Sequence, residues 1–233
     1  ALPARHEWVK TLEFIPEEKY QKYFDHFDPD LFDAREWAKK AKAAGMKYAV
    51  LTTKHHEGFC LFDSKYTDYK ITNTPFGRDL VKEYADAFRA EGLHVGFYYS
   101  LIDWHHPDFP HFSDQNHPMR QNPDYPDEGR DFSRYVEYFH GQVRELLTNY
   151  GKLDIMWFDF SYDDMAGEKW RASELVRMVR SLQPGGEKSF IMRGFDITNR
   201  AVYEKATSDP EMMGMGTTGV CAYAGGGLAH VVH

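Results

Sequence analysis

The 233-residue sequence predicts an α/β fold: a (β/α) barrel of the TIM type, incomplete, with parallel strands inside and helices outside. Three observations predict it. Strand-like and helix-like segments alternate along the chain, which implies parallel pairing through right-handed crossovers. The chemically capable polar residues sit just after the strand-like runs, and in a parallel barrel those positions converge on one face. The length is that of one domain, since barrels of this type run to roughly 250 residues. Residues 1–233 therefore read as a single catalytic-type domain, with the stretch from about residue 204 atypical.

Each element has its own signal. Asp30 to Ala44 carries apolar or small residues at helical spacing, opens with acids after Pro29, bears lysines in its last turns and stops at Gly45. Met46 to Leu51 is a short β-type run. Arg78 to Glu91 is a second helix closed by Gly92, and Val95 to Ser100 is the second strand. Arg130 to Tyr150 is a long helix ended by Gly151. Leu153 to Phe160 is the third strand, an apolar run with an acid, Asp159, near its end. Lys169 to Leu182 is a helix stopped by Gln183-Pro184-Gly185-Gly186, and Ser189 to Arg193 is the fourth strand.

Composition excludes several classes. A net charge of −8 with no basic tract argues against a nucleic-acid partner, because phosphate neutralisation by Lys and Arg supplies most of that affinity. Cys60 and Cys221 are the only cysteines, which gives no disulfide framework and no zinc-site spacing; no metal or cofactor is expected. No apolar run approaches the ~20 residues that span a bilayer, so a soluble chain is expected, without a membrane partner. It would be cytoplasmic if Ala1 is the native start and secreted if a leader preceded it. Aromatic residues make up 16%, more flat surface than packing alone usually takes, and sugar-binding clefts are one destination for it.

The candidate site residues follow from position. A buried carboxylate without partners is costly, so Asp159 is either a paired structural acid, a helix cap, or a chemical group. His55, His56 and Glu57 follow the first strand; Tyr98, Tyr99, Asp103, Trp104, His105 and His106 end or follow the second; Arg193 ends the fourth. Read alone, His55-His56 is a polar loop with at most one ring facing a pocket, since neighbours on an extended segment point oppositely. His105-His106-Pro107 reads as a solvent-exposed turn, and Trp157 and Tyr98 read as core aromatics.

Tyr48 to Phe62, containing Lys54-His55-His56-Glu57-Gly58-Phe59-Cys60, then Val95 to Ser100 with Asp103-Trp104, then Met156-Trp157-Phe158-Asp159, resemble glycoside hydrolase family 29, the α-L-fucosidases. The resemblance covers roughly Arg5 to Arg200. It implies a retaining exo-glycosidase that removes terminal α-L-fucose from a fucosylated oligosaccharide or glycoconjugate. It implies that Asp159 is the nucleophile, that His55 and His56 hold sugar hydroxyls, and that Tyr98 lies near the nucleophile. Glu7 and Trp8 resemble the family's fucose-binding Glu-Trp pair, Trp157 would line the pocket, and Arg193 resembles the arginine after the next strand. The acid/base is not fixed by a motif. Glu204 and Glu211 are the carboxylates in the right stretch, and Glu211 is the choice. The family's first barrel strand, with its His-Trp-Gly segment, is expected to lie outside this sequence, leaving four to five of eight barrel units. Open sheet edges then predict a homo-oligomer that covers them. Two alternatives stand beside this reading: a non-catalytic or weakly active fucose-binding remnant, and a metal-dependent barrel hydrolase built on His55, His56, His105 and Asp159.

Overall fold

The computed structural model describes residues 8–161 and 165–183, and the backbone of 190–193, 219–222 and 229–232. Helices and strands alternate: α1 (Val9–Leu12), α2 (Glu17–Asp25), α3 (Ala34–Ala43), β1 (Tyr48–Lys54), α4 (Leu80–Ala90), β2 (His94–Ser100), α5 (Phe132–Asn149), β3 (Ile155–Asp159), α6 (Ala172–Leu182), β4 (Phe190–Arg193), β5 (Gly219–Ala222) and β6 (Ala229–Val232). The sheet runs β4-β3-β2-β1-β5-β6. β1 to β4 pair in parallel with their sequence neighbours, and β5 lies parallel to β1 on its other side. Among the described residues no helix is long and apolar enough to cross a membrane.

Side-chain caps set where the long helices begin. Asp33 accepts from the Arg35 and Glu36 amides at 2.9 and 3.0 Å, Asp79 from the Lys82 amide at 2.9 Å, and Asp131 from the Ser133 amide at 2.9 Å. These caps start α3, α4 and α5 later than the amphipathic pattern does, at Ala34, Leu80 and Phe132. β1 runs past Leu51 to Lys54, because Thr53 and Lys54 also have buried partners: Thr53 Oγ1 donates to Tyr98 O at 2.8 Å. Helix α2 has no counterpart in the sequence reading. It buries no residue, so it lacks the apolar stripe that periodicity detects.

Two apolar layers flank the parallel strands. On the outer side Leu51, Phe97, Tyr99, Met156 and Phe158 pack with Ala38 of α3, Val81, Ala85 and Phe88 of α4, and Phe139, Val143 and Leu146 of α5. Each large side chain buried there stabilises by about 1.5–3 kcal/mol. On the inner side Val50, Tyr98 and Ile155 form a separate cluster joined by Tyr48 and Trp157. Gly96 sits between Val50 and Ile155, where a Cβ would approach Val50 Cγ2 at 2.8 Å and Ile155 Cβ at 3.0 Å. The inner face is therefore narrow at its base and carries its polar groups at the C-terminal ends of the strands.

One expectation is corrected. The strands are not all parallel: β6 pairs antiparallel with β5, Cys221 facing His230. Only six residues, 223–228, join the two strands and they include Gly225-Gly226-Gly227, too short for a crossover that needs a dozen or more.

Candidate active site

β3 ends on Asp159, and both of its carboxylate oxygens have donors. Tyr98 Oη donates to Oδ2 at 2.6 Å, and the Phe160 amide donates to Oδ1 at 2.9 Å. Tyr98 is two residues short of Ser100, which lies opposite Asp159 in the β2–β3 register, so the phenol reaches up the same face. The chain then turns at Phe160 with φ +65°, a left-handed conformation that side chains other than glycine adopt at a cost of order 1–3 kcal/mol. The turn presses the Phe160 ring edge-on against His56, centroids 4.1 Å apart, and against Trp8 at 5.4 Å.

The histidine pair is not extended, contrary to the expectation of opposite orientations. Both residues lie beyond the end of β1 in a turn closed by the Gly58 amide donating to His55 O at 3.1 Å. Their rings lie against each other, centroids 3.8 Å apart and planes tilted by 36°. His55 also lies against Tyr98 at 5.9 Å, and its Nδ1 is 3.2 Å from Glu57 Oε2. Burial pushes the Glu57 carboxyl up, but the hydrogen bond and charge of His55, a backbone amide and Lys10 together hold it below the ordinary carboxylate range. His56 is fully enclosed. Burial, then its neighbours His55 and Lys54, holds it well below the ordinary imidazole range, so this ring is neutral.

A buried ion pair fixes that turn. Lys54 Nζ meets Asp103 Oδ2 at 2.9 Å, both side chains at 0–1% exposure, and the ammonium lies over the Tyr99 ring at 4.6 Å. Asp103 Oδ1 accepts from the His105 and His106 amides at 3.0 Å each, and the Trp104 amide donates to His56 O at 2.7 Å. Burial raises the Asp103 carboxyl, while the charge and hydrogen bond of Lys54 and the nearby His105 and His106 bring it below its usual value. Gly58 has φ +84°, and a Cβ there would meet Asp103 Oδ1 at 2.3 Å, so only glycine fits. The Lys-His-His-Glu-Gly segment and the Asp-Trp pair are thus two halves of one support.

The remaining residues separate into three groups. Trp8 joins the pocket, its ring 5.1 Å from His56 and 6.0 Å from Trp104. Trp157 does too, edge-on to Tyr98 at 5.5 Å, and its buried Nε1–H has no hydrogen-bond partner among the described residues; the same holds for the Trp104 Nε1–H. His105 and His106 are drawn elsewhere and are only part-exposed, not the open turn expected: His105 Nδ1 pairs with Glu17 Oε1 at 2.9 Å and its ring stacks on Tyr69 at 4.0 Å, while His106 packs on Tyr135 and Tyr138. Among the described residues no three His, Cys, Asp or Glu side chains gather as a metal cage. The Arg193 backbone pairs with Phe158 in the β3–β4 register, but its side chain, like Glu7, Glu204 and Glu211, lies outside the described residues. Ser100, Lys54 and Phe160 were missed from sequence. Ser100 had one usable signal, its period-two relation to Tyr98 on β2.

Comparison with known proteins bears on the same segments. A family model described as Alpha-L-fucosidase matches residues 4–216. Plasma alpha-L-fucosidase of Homo sapiens is 34% identical over 160 residues, covering 68% of this chain and 31% of that protein. Among solved structures, alpha-L-fucosidase isoenzyme 1 from Paenibacillus thiaminolyticus is 64% identical with a TM-score of 0.79, over 84% of this chain and 46% of that one. A family 29 alpha-L-fucosidase from Bacteroides thetaiotaomicron, trapped as a covalent intermediate in complex with 2-fluoro-fucosyl fluoride, is 36% identical with a TM-score of 0.66, over 79% of this chain and 43% of that one. The chain spans less than half the length of each of these relatives.

Proposed function

Because this chain belongs to the α-L-fucosidase family of glycoside hydrolases, we propose that it hydrolyses terminal α-L-fucosides with retention, through a covalent fucosyl-enzyme on Asp159. The observation that carries this reading is the Asp159 carboxylate at the C-terminal end of an inner-face strand, oriented by Tyr98 at 2.6 Å. A covalent intermediate has been trapped in the Bacteroides thetaiotaomicron relative, which supports the same chemistry here.

In the first step an Asp159 oxygen bonds to the anomeric carbon as the glycosidic C–O bond breaks, and an acid delivers a proton to the departing oxygen. In the second, water attacks the same carbon, the conjugate base takes its proton, and Asp159 leaves as carboxylate. Glu211 is the proposed acid/base; the geometry expected of a retaining pair is about 5–5.5 Å between carboxyl groups. His55 and His56, with Glu7, Trp8, Tyr98, Trp157 and Arg193, are proposed to bind the sugar: hydroxyls to the histidines and the acid, the apolar C5 methyl to the rings. The indole N–H of Trp157, without a partner among the described residues, supports a ligand in this pocket, because a buried donor without a partner costs about 1–3 kcal/mol until something accepts from it. We further take residues 1–233 as one catalytic-type domain and propose that a second copy covers the edge strands of the described sheet, β4 and β6. Light scattering on the eluted protein should then return a multiple of 27.2 kDa, and a stable monomer would refute the covering.

The test of function is an aryl α-L-fucoside assay on wild type and Asp159→Ala. Wild-type turnover should fall by at least about 10³-fold in the variant and recover partly with azide, which replaces the missing nucleophile. Full turnover by Asp159→Ala would eliminate the proposal. Fucose binding without turnover by the wild type would select a binding role instead.

A further inference from the structure

Strand β2 presents two side chains, two residues apart, that each meet one member of the pocket. Tyr98 meets Asp159; Ser100 meets His56, Oγ lying 2.8 Å from Nδ1. Ser100 is wholly buried, and its Oγ is also 2.8 Å from Ile102 O. These two contacts determine where the protons are. A carbonyl oxygen only accepts, so the single hydroxyl proton of Ser100 goes to Ile102. A lone pair of Oγ is then what faces His56, and Nδ1 must carry the proton between them. The enclosed imidazole is neutral and has one proton to place, which leaves the lone pair on Nε2.

We propose that Ser100 is a positioning residue that fixes the His56 tautomer, so that His56 meets the sugar as an acceptor at Nε2 and selects substrates that offer a hydroxyl donor there. The proposal rests on the reading of this pocket as a fucoside site. The chain of command runs from the Ile102 carbonyl through Ser100 to the ring, entirely within groups that touch no solvent. Without Ser100, Nδ1 loses its acceptor and the ring is free to place its proton on Nε2. A sugar hydroxyl would then meet a donor. A site built to receive a hydroxyl hydrogen also rejects an analogue in which that hydroxyl is replaced by fluorine or methoxyl, neither of which donates.

Two measurements test this together. Nitrogen-15 NMR of the imidazoles in the free wild-type protein reads the tautomer without any substrate. The expected result is a pyrrole-like Nδ1 and a pyridine-like Nε2 for His56, with Ser100→Ala showing a mixed or inverted pattern. Kinetics on an aryl α-L-fucoside with Ser100→Ala, His56→Ala and the double variant then separate positioning from packing. Ser100→Ala should lower kcat/KM by about 10- to 100-fold in the wild-type background and by no more than about twofold when His56 is already alanine. A proton on Nε2 in the wild-type spectrum overturns the proposal, as does an equal loss in both backgrounds. A wild type inert on the fucoside would count against the proposed function, while the spectrum would still decide the tautomer.

Discussion

Asp159 and Trp157 lie two residues apart on one strand face and differ in how their polar atoms are satisfied. The acid has a donor on each oxygen, whereas the indole N–H is buried with no partner among the described residues. Trp157→Phe therefore removes no hydrogen bond to a described residue and keeps most of the ring, so the unfolding free energy should stay within about 1 kcal/mol of wild type. Fucose affinity should fall about five- to tenfold, measured by isothermal titration calorimetry, since the ligand loses its donor. Unchanged affinity would show that the N–H has no part in binding. The same contrast explains what was legible in the sequence. Asp159 stood out because an acid near the end of an apolar run is costly without a reason. His55 and His56 were visible as a pair, but the close approach of their rings was not, since it depends on the turn beyond β1. Ser100 was marked only by its period-two relation to Tyr98: a small polar residue at a strand end says little alone, and its meaning comes from Ile102 and His56 on either side.

The turn after β1 is held by Asp103 from the segment after β2, so two loops share one buried charge pair. Gly58→Ala would place a methyl 2.3 Å from Asp103 Oδ1 at a backbone angle of φ +84°. We expect a loss of about 2–4 kcal/mol in stability, seen as a lower urea midpoint with an unchanged slope, and loss of fucoside turnover with it. A variant as stable as wild type would mean that Asp103 does not clamp this turn. Helices and central strands were legible for ordinary reasons: apolar periodicity marked α3, α4, α5 and α6, and glycines at 45, 92 and 151, all with positive φ, closed the first three. The starts shifted because an aspartate one to three residues inside the pattern takes the cap. α2 escaped because nothing on it is buried, and β5 and β6 fall in the stretch from about residue 204 that was read only as atypical, with no strand expected there.

The whole molecule carries several histidines that the fold keeps neutral, and this gives it a pH dependence. Burial, with the Arg130 guanidinium beside it, lowers His111 to about 4; burial and the neighbouring His111 lower His117 to about 3. In the unfolded chain both take up a proton near the ordinary 6.5. The unfolded state therefore binds more protons between about 6.5 and those values, and stability declines as pH falls through that window. Each histidine contributes up to about 1.4 kcal/mol per pH unit, and His56 acts in the same direction. Asp103 and Glu57, both lowered by their partners, add a further loss at more acid pH as they protonate. Calorimetry should give a melting temperature lower at pH 5 than at pH 7; a flat or rising profile on acidification would contradict the burial of these rings. The architecture as a whole brings residues from three strands, more than a hundred positions apart in sequence, to one end of the sheet around a single carboxylate. Intact-protein mass spectrometry after exposure to 2-fluoro-fucosyl fluoride tests that arrangement most directly. One fluoro-fucosyl adduct per chain is expected, mapped to the peptide carrying Asp159 and absent in Asp159→Ala; turnover of an aryl fucoside with no adduct, or an adduct on another residue, would contradict Asp159 as the nucleophile.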